Sequence, residues 1–218
     1  MSKKNFETIL FDWDGCLAKT LDLWLEAYLK ILKRYGVVLP PEVVVEKTWG
    51  KWADGLALVG VGEAERAYQE ILDYMEPRVS QVPLAKGARE LLQSLSKAGK
   101  KVGLLTSSSR QVIDPSLKKL SLKKSFGVVL TKNDVKKGKP NPEIVNKALK
   151  VLGGEKKTAL IVGDSYHDVQ TGKNAGITTV VYYPPGNKKF YSRQELEAEK
   201  PDFLVSSFTA LGKIIFAS

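Results

Sequence analysis

The chain has 218 residues, with 34 Lys+Arg against 24 Asp+Glu and a single His, a formal net charge of +10. Hydrophobic residues at 43% and charged residues at 27% exclude the apolar-poor composition of a disordered chain, so a packed core is expected, and the length suits one domain with a sizeable insertion. The one cysteine, Cys16, excludes an intramolecular disulfide, and neither a secretory apolar region nor a run of ~18 apolar residues is present, so a soluble, cytoplasmic protein is expected.

The first apolar run, residues 8–12, ends abruptly in Asp12, Asp14 and Gly15, which predicts a buried strand delivering Asp12 at its C-terminal tip. Residues 18–85 then break any strand rhythm. Leu21, Leu25, Tyr28, Leu29 and Leu32 recur at helical spacing, and a later helix is predicted over residues 63–75. This stretch is too long for an ordinary strand-to-helix crossover, so it is expected to form a helical lobe overhanging the strand tips, placed to act as a lid.

From residue 86 onward, strand and helix alternate. A helix over 88–98 closes on Gly99, strands follow at 101–106 and 127–130, and a helix over 141–152 closes on Gly153 and Gly154. Further strands are expected at 158–162, 178–182 and 202–205. Lys118, Lys119, Lys123 and Lys124 around Leu117, Leu120 and Leu122 suggest the solvated face of a short amphipathic helix. The positive excess is local, because residues 86–157 hold 18 Lys+Arg and 5 Asp+Glu, yet no nucleic-acid reader motif accompanies it and no nucleic-acid partner is expected. The fold class is therefore α/β, a Rossmann-like parallel sheet core with an inserted helical cap; residues 1–17 and 86–218 are assigned to the core and 18–85 to the cap.

Four pieces of sequence fall at predicted strand ends: Asp12 to Gly15, Thr106 to Ser109, Gly138 to Pro140, and Gly163 to Asp168. Two carboxylates from the first and two from the last would converge on a hard cation, and an all-oxygen set of this kind suits Mg2+. Thr106 or Ser107 can donate to phosphoryl oxygens, and Lys139 supplies a point charge for nucleophile and phosphate together.

On these four motifs, in this order, with Asn174 to Gly176 following, the sequence resembles the haloacid dehalogenase superfamily, in the branch with a C1-type helical cap inserted after the first motif. The resemblance implies that Asp12 is a nucleophile forming an aspartyl-phosphate, with Asp14 as general acid to the leaving oxygen and then general base to water. It also implies metal ligation by Asp12, the backbone carbonyl of Asp14 and Asp164, with Asp168 outside the metal's direct contacts, orienting a water or Lys139. A carboxylate attacks an anionic phosphate poorly unless a cation offsets the repulsion, so the requirement for a metal follows. An acid at position 14 is what phosphate-ester enzymes of this superfamily need and dehalogenases do not. The expected activity is a Mg2+-dependent phosphatase acting on a small phosphate monoester, phosphoglycolate or a sugar phosphate; the alternatives are a β-phosphoglucomutase-like mutase and a non-catalytic binder of phosphorylated ligands. The cap histidine sought for a mutase is absent from residues 18–85.

Other residues divide between chemistry and packing. Cys16 stands where the family usually has threonine and is read as a small buried filler. His167 is read as a solvent-facing loop residue, and Trp13 and Trp24 as packing residues. Trp49, Lys51 and Trp52 are the candidates for substrate selection by the cap. A small-molecule partner, no membrane, and a monomer or homodimer are expected.

Overall fold

The computed structural model describes residues 5–217. Six strands form one parallel sheet, β1 (Thr8–Phe11), β2 (Lys101–Leu105), β3 (Val128–Leu130), β4 (Ala159–Gly163), β5 (Thr178–Tyr182) and β6 (Phe203–Val205), in the order β3-β2-β1-β4-β5-β6. Residues 8–11 are wholly buried because β1 has a neighbour on each edge and layers on both faces. Its side chains alternate: Ile9 and Phe11 join the larger apolar cluster with Leu104, Leu160 and Val162, while Leu10 joins Leu105 and Ile161 in the smaller one. Burying each such side chain is worth about 1.5–3 kcal/mol, and this is what keeps β1 in the middle of the sheet.

The helices that cover the sheet follow the expected punctuation. α5 (Ala88–Lys97) turns Leu91, Leu92 and Leu95 inward and stops at Gly99, whose φ of +67° satisfies the last turn. α6 spans Arg110–Lys119. α7 (Glu143–Leu152) starts two residues later than the pattern suggested, because the Asn141 side chain accepts the Glu143 N–H and Pro142 stands at the entrance. α8 (Tyr166–Ala175), α9 (Arg193–Ala198) and α10 (Phe208–Ile215) complete the layers. The lysine-rich stretch is a correction: Lys118 and Lys119 end α6, Ser121 turns left-handed at φ +55°, and Lys123 and Lys124 lie in a separate 3-10 turn, so no single amphipathic helix joins them.

Between β1 and α5 the described chain is helical throughout its regular elements: α1 (Leu21–Arg34), α2 (Pro41–Thr48), α3 (Trp52–Leu58) and α4 (Ala64–Val79). The sequence pattern anticipated α1 and α4 but not the two short helices between them, whose apolar positions are too few to show a period. The chain leaves and returns to the sheet side by side: Lys19 N–H donates to the Pro83 carbonyl and Ala85 N–H to that of Leu17. This two-stranded stem holds the helical insertion over the C-terminal tips of β1, β2 and β4. Among the described residues no helix is long and apolar enough to cross a membrane.

Candidate active site

At the tip of β1, Asp12 is delivered into a place almost without water. Asp12, Lys139, Asp164 and Asp168 are 6%, 8%, 2% and 3% exposed. The Lys139 ammonium donates to Asp12 Oδ1 (2.7 Å), Asp168 Oδ1 (2.6 Å) and the Leu105 carbonyl (2.8 Å), so all three of its protons are taken. Asp168 is itself held by α8: its Oδ2 accepts from Ser165 Oγ (2.7 Å) and Ser165 N–H (3.3 Å), a reciprocal N-terminal cap. Asp168 thus caps α8 with one oxygen and meets Lys139 with the other.

Asp12, Asp164 and Asp168 each offer an oxygen within 4.8 Å of the others. Three buried carboxylates face one ammonium, and the imbalance shows in their acidities. Burial, relieved in part by Lys139 and deepened by Asp168, pushes Asp12 up to about 8. Burial and then the charges of Asp12 and Asp168 hold Asp164 well above the usual carboxylate range. Asp168 is buried too, yet the Lys139 contact leaves it below its ordinary value, and despite burial Lys139 is raised by Asp12 and Asp168. An oxygen-only donor set with excess negative charge in a dry pocket fits a divalent cation.

Asp14 faces elsewhere. Its Oδ1 accepts from Thr20 Oγ1 and Trp24 Nε1 (both 2.7 Å), and its Oδ2 from Ser108 Oγ (2.6 Å) and, more weakly, Thr106 Oγ1 (3.4 Å). The carboxylate thus ties the start of α1 to the loop after β2. Trp24, read from sequence as packing, is also a hydrogen-bond partner of Asp14. Gly15 turns the chain just after Asp14: its φ is +70°, and a Cβ there would run into the carboxylate of Asp164.

These groups open into a cleft of about 640 Å³ between the strand tips and the helical insertion. Ser107 and Ser108 line it, whereas Thr106 does not; it is fully buried, its hydroxyl accepting the Ser108 N–H (3.0 Å). Trp49 and Trp52 line the cleft, and Trp52 Nε1 donates to the Ser107 carbonyl (3.2 Å). Lys51 does not line it, because its ammonium turns back to the Glu46 carbonyl (3.3 Å). His167 is a correction. It stands in the first turn of α8, half-buried and lining the cleft, and burial lowers its pKa from the ordinary value. A Cβ on Gly50 would meet the imidazole at 2.7 Å, so only glycine lets the insertion approach this closely.

Several partners escaped the sequence pattern: Thr20 and Trp24 beside Asp14, Ser108, and Asn187. Asn187 is buried after β5 and donates to the Gly15 carbonyl (2.9 Å) and Asp164 Oδ2 (3.3 Å), locking the first loop to the last. Ser108 was within the recognised Thr106–Ser109 run and needed only the register. Asn187 carries no local signal, since its contacts lie more than 20 residues away.

The sequence matches the haloacid dehalogenase-like hydrolase family over residues 9–182. It is 32% identical over 213 residues to the pyrophosphatase PpaX of Bacillus cereus (strain AH820), spanning 97% of each chain. Two solved structures superpose with a TM-score of 0.84. One, designated a haloacid dehalogenase-like hydrolase from Bacteroides fragilis, is 21% identical, with 95% of this chain and 100% of that one covered. The other, designated a phosphoglycolate phosphatase from Lactobacillus plantarum, is 19% identical, with 96% and 99% covered. CbbY from Rhodobacter sphaeroides, solved with xylulose-(1,5)bisphosphate, superposes at 0.74 with 22% identity over 95% and 96% of the two chains. This chain belongs to the haloacid dehalogenase-like hydrolase family.

Proposed function

We propose that the chain is a magnesium-dependent phosphatase that hydrolyses a small phosphate monoester through an aspartyl-phosphate on Asp12, with residues 18–85 acting as a cap. The observation that carries it is the buried Asp12 carboxylate at the floor of the cleft, among Lys139, Asp164 and Asp168. Asp12, the Asp14 carbonyl and Asp164 would hold the ion, which when bound supplies Lewis-acid neutralisation of the phosphoryl charge.

The chain's own residues do the rest. Lys139 holds Asp12 by one oxygen, leaving the other for attack in line with the leaving oxygen, and its positive charge remains beside the phosphoryl group. Asp168 keeps Lys139 in place. Ser107, at the cleft wall, offers a donor to the phosphoryl oxygens, while Ser108, whose hydroxyl goes to Asp14 and whose N–H goes to Thr106, holds the loop. Asp14 gives its proton to the leaving oxygen and then takes one from the water that opens the aspartyl-phosphate, which requires it to leave the Thr20–Trp24 cradle. Closure of the insertion over the tips excludes bulk water from that intermediate.

A second reading is hydrolysis of inorganic pyrophosphate, favoured by the name of the relatives that match at 32% identity along the whole chain. One experiment addresses both: phosphate release from a panel of monoesters and pyrophosphate, with Mg2+ and with EDTA, for the parent and Asp12→Asn. Metal-dependent release lost in the variant is the expected result. Release that persists in Asp12→Asn would rule out the aspartyl-phosphate route.

A further inference from the structure

Beyond the Asp12–Lys139 cluster the cleft is walled by rings and rimmed by carboxylates. Trp49 stacks on Phe190 (centroids 5.3 Å apart, planes at 25°) and meets Tyr191 edge-on at 6.2 Å. Opposite, Trp24 and Tyr28 lie 6.3 Å apart, and Trp52 is pinned by its bond to the Ser107 carbonyl. Glu42, Glu46, Glu195 and Glu199 line the same cleft, Glu46 being paired with Lys47 (2.8 Å). Among the described residues, the lysines and arginines that line it are Lys139 and Lys189 alone. Lys139 has no proton to spare, and Lys189 pairs with Asp22. Two other lysines come near without entering. Lys51 bonds the Glu46 carbonyl, and the Lys132 ammonium rests 4.4 Å from the Tyr68 ring centroid, a cation already held by this aromatic wall from outside the cleft lining.

Resting on the phosphatase reading above, we infer that the enzyme selects phosphate monoesters whose leaving group carries no second anion and presents an apolar or ammonium-bearing body to the Trp49–Phe190 wall. A second phosphate or a carboxylate on the leaving group calls for a guanidinium fork or a free ammonium, and the cleft offers neither. The rim carboxylates, Glu46 less than the others because Lys47 partners it, repel such a group over a screening length of about 8–10 Å. The same carboxylates and ring faces attract an ammonium, and the rings take an apolar body by burial. The inference departs from what the name of the pyrophosphatase relatives would suggest for this chain, since pyrophosphate's leaving group is itself a phosphate.

The test is a matched set of substrates in excess Mg2+: phosphocholine and benzyl phosphate against 2-phosphoglycolate and pyrophosphate, read as kcat/KM at low and high ionic strength. Phosphocholine and benzyl phosphate are expected to lead by about tenfold or more at low salt, with the lead of phosphocholine over 2-phosphoglycolate shrinking as salt rises. In the Glu46→Gln, Glu195→Gln double variant the ratio of phosphocholine to 2-phosphoglycolate should fall several-fold. Preference for 2-phosphoglycolate or pyrophosphate, or a ratio indifferent to salt and to the double variant, overturns the inference while leaving the phosphatase reading standing. No release from any of the four substrates defeats the phosphatase reading, and the inference with it.

Discussion

The floor of the cleft and its walls are built on different principles. The floor is four charged side chains with 2–8% exposure, projecting from the tips of β1 and β4, the loop before α7 and the first turn of α8; short bonds fix Asp12, Lys139 and Asp168 to one another and to backbone, and Asp164 accepts from the Asn187 side chain. The walls are rings from α1, the α2–α3 connection and the segment after β5, touching one another through faces and edges, with carboxylates at the mouth. A bond network in low dielectric tolerates no missing member, because any loss leaves a buried charge unpaired. A ring wall loses contacts piecemeal. Substitutions on the floor should therefore fail abruptly, and those on the wall by degrees.

The largest expected effect is on the floor. Asp12→Asn should reduce kcat by about 10⁴ or more, as removal of a nucleophile does in other covalent enzymes, while circular dichroism stays that of the parent; single-turnover phosphate release checks it. Lys139→Ala should lower kcat by about 10² or more. It also leaves Asp12 and Asp168 facing each other unpaired, so chemical denaturation should show a loss of about 3–5 kcal/mol. If stability is unchanged, the three carboxylates are not ionised together.

The metal expectation separates the two regions directly. Mg2+ at about 100 times its Kd should stabilise the fold by about 2.7 kcal/mol, read as a rise in Tm, and Asp164→Asn should abolish the rise. Trp49→Phe, on the wall, should keep it. Trp24→Phe probes the boundary, since it removes one donor from Asp14 and keeps the ring: about a fivefold change in kcat is expected, corresponding to one hydrogen bond, with KM little altered. The smallest effect is predicted at Glu143, which accepts the Lys136 and Lys137 N–H groups ahead of Lys139 and pairs with Lys147. Those contacts, the Lys147 bond first, lower its pKa to about 2. A depressed carboxylate contributes stability that is present above its unfolded value and lost as pH falls toward the folded one. The parent should therefore lose a margin over Glu143→Gln between about pH 4.5 and 2, seen by comparing their acid denaturation curves.

Asp12 and Asp164 could be singled out in the chain because each follows a buried apolar run that ends sharply, whereas Lys139 and Asp168 were singled out by the Gly138–Pro140 and Gly163–Asp168 motifs and the resemblance they carry. The strands were legible for the same reason: β1, β2 and β4 are continuous apolar stretches, buried on both faces. The misreadings share a cause as well. His167 and the Lys118–Lys124 stretch were judged by local spacing, whereas a left-handed Ser121 and the approach of Gly50 decide their places. Trp24 does pack in the core as read, but nothing local marks its indole N–H as the partner of a carboxylate ten residues earlier.

The sequence by itself determined the alternation of strand and helix, the long helical insertion and the chemical types at the strand tips, since these depend on periodicity and on residues close in the chain. Which oxygen of Asp168 caps α8 and which meets Lys139, the cradle that turns Asp14 away from Asp12, the Asn187 lock and the rings that wall the cleft were decided by the tertiary structure alone. Those contacts join segments up to 172 residues apart, and no local pattern carries information about partners that distant.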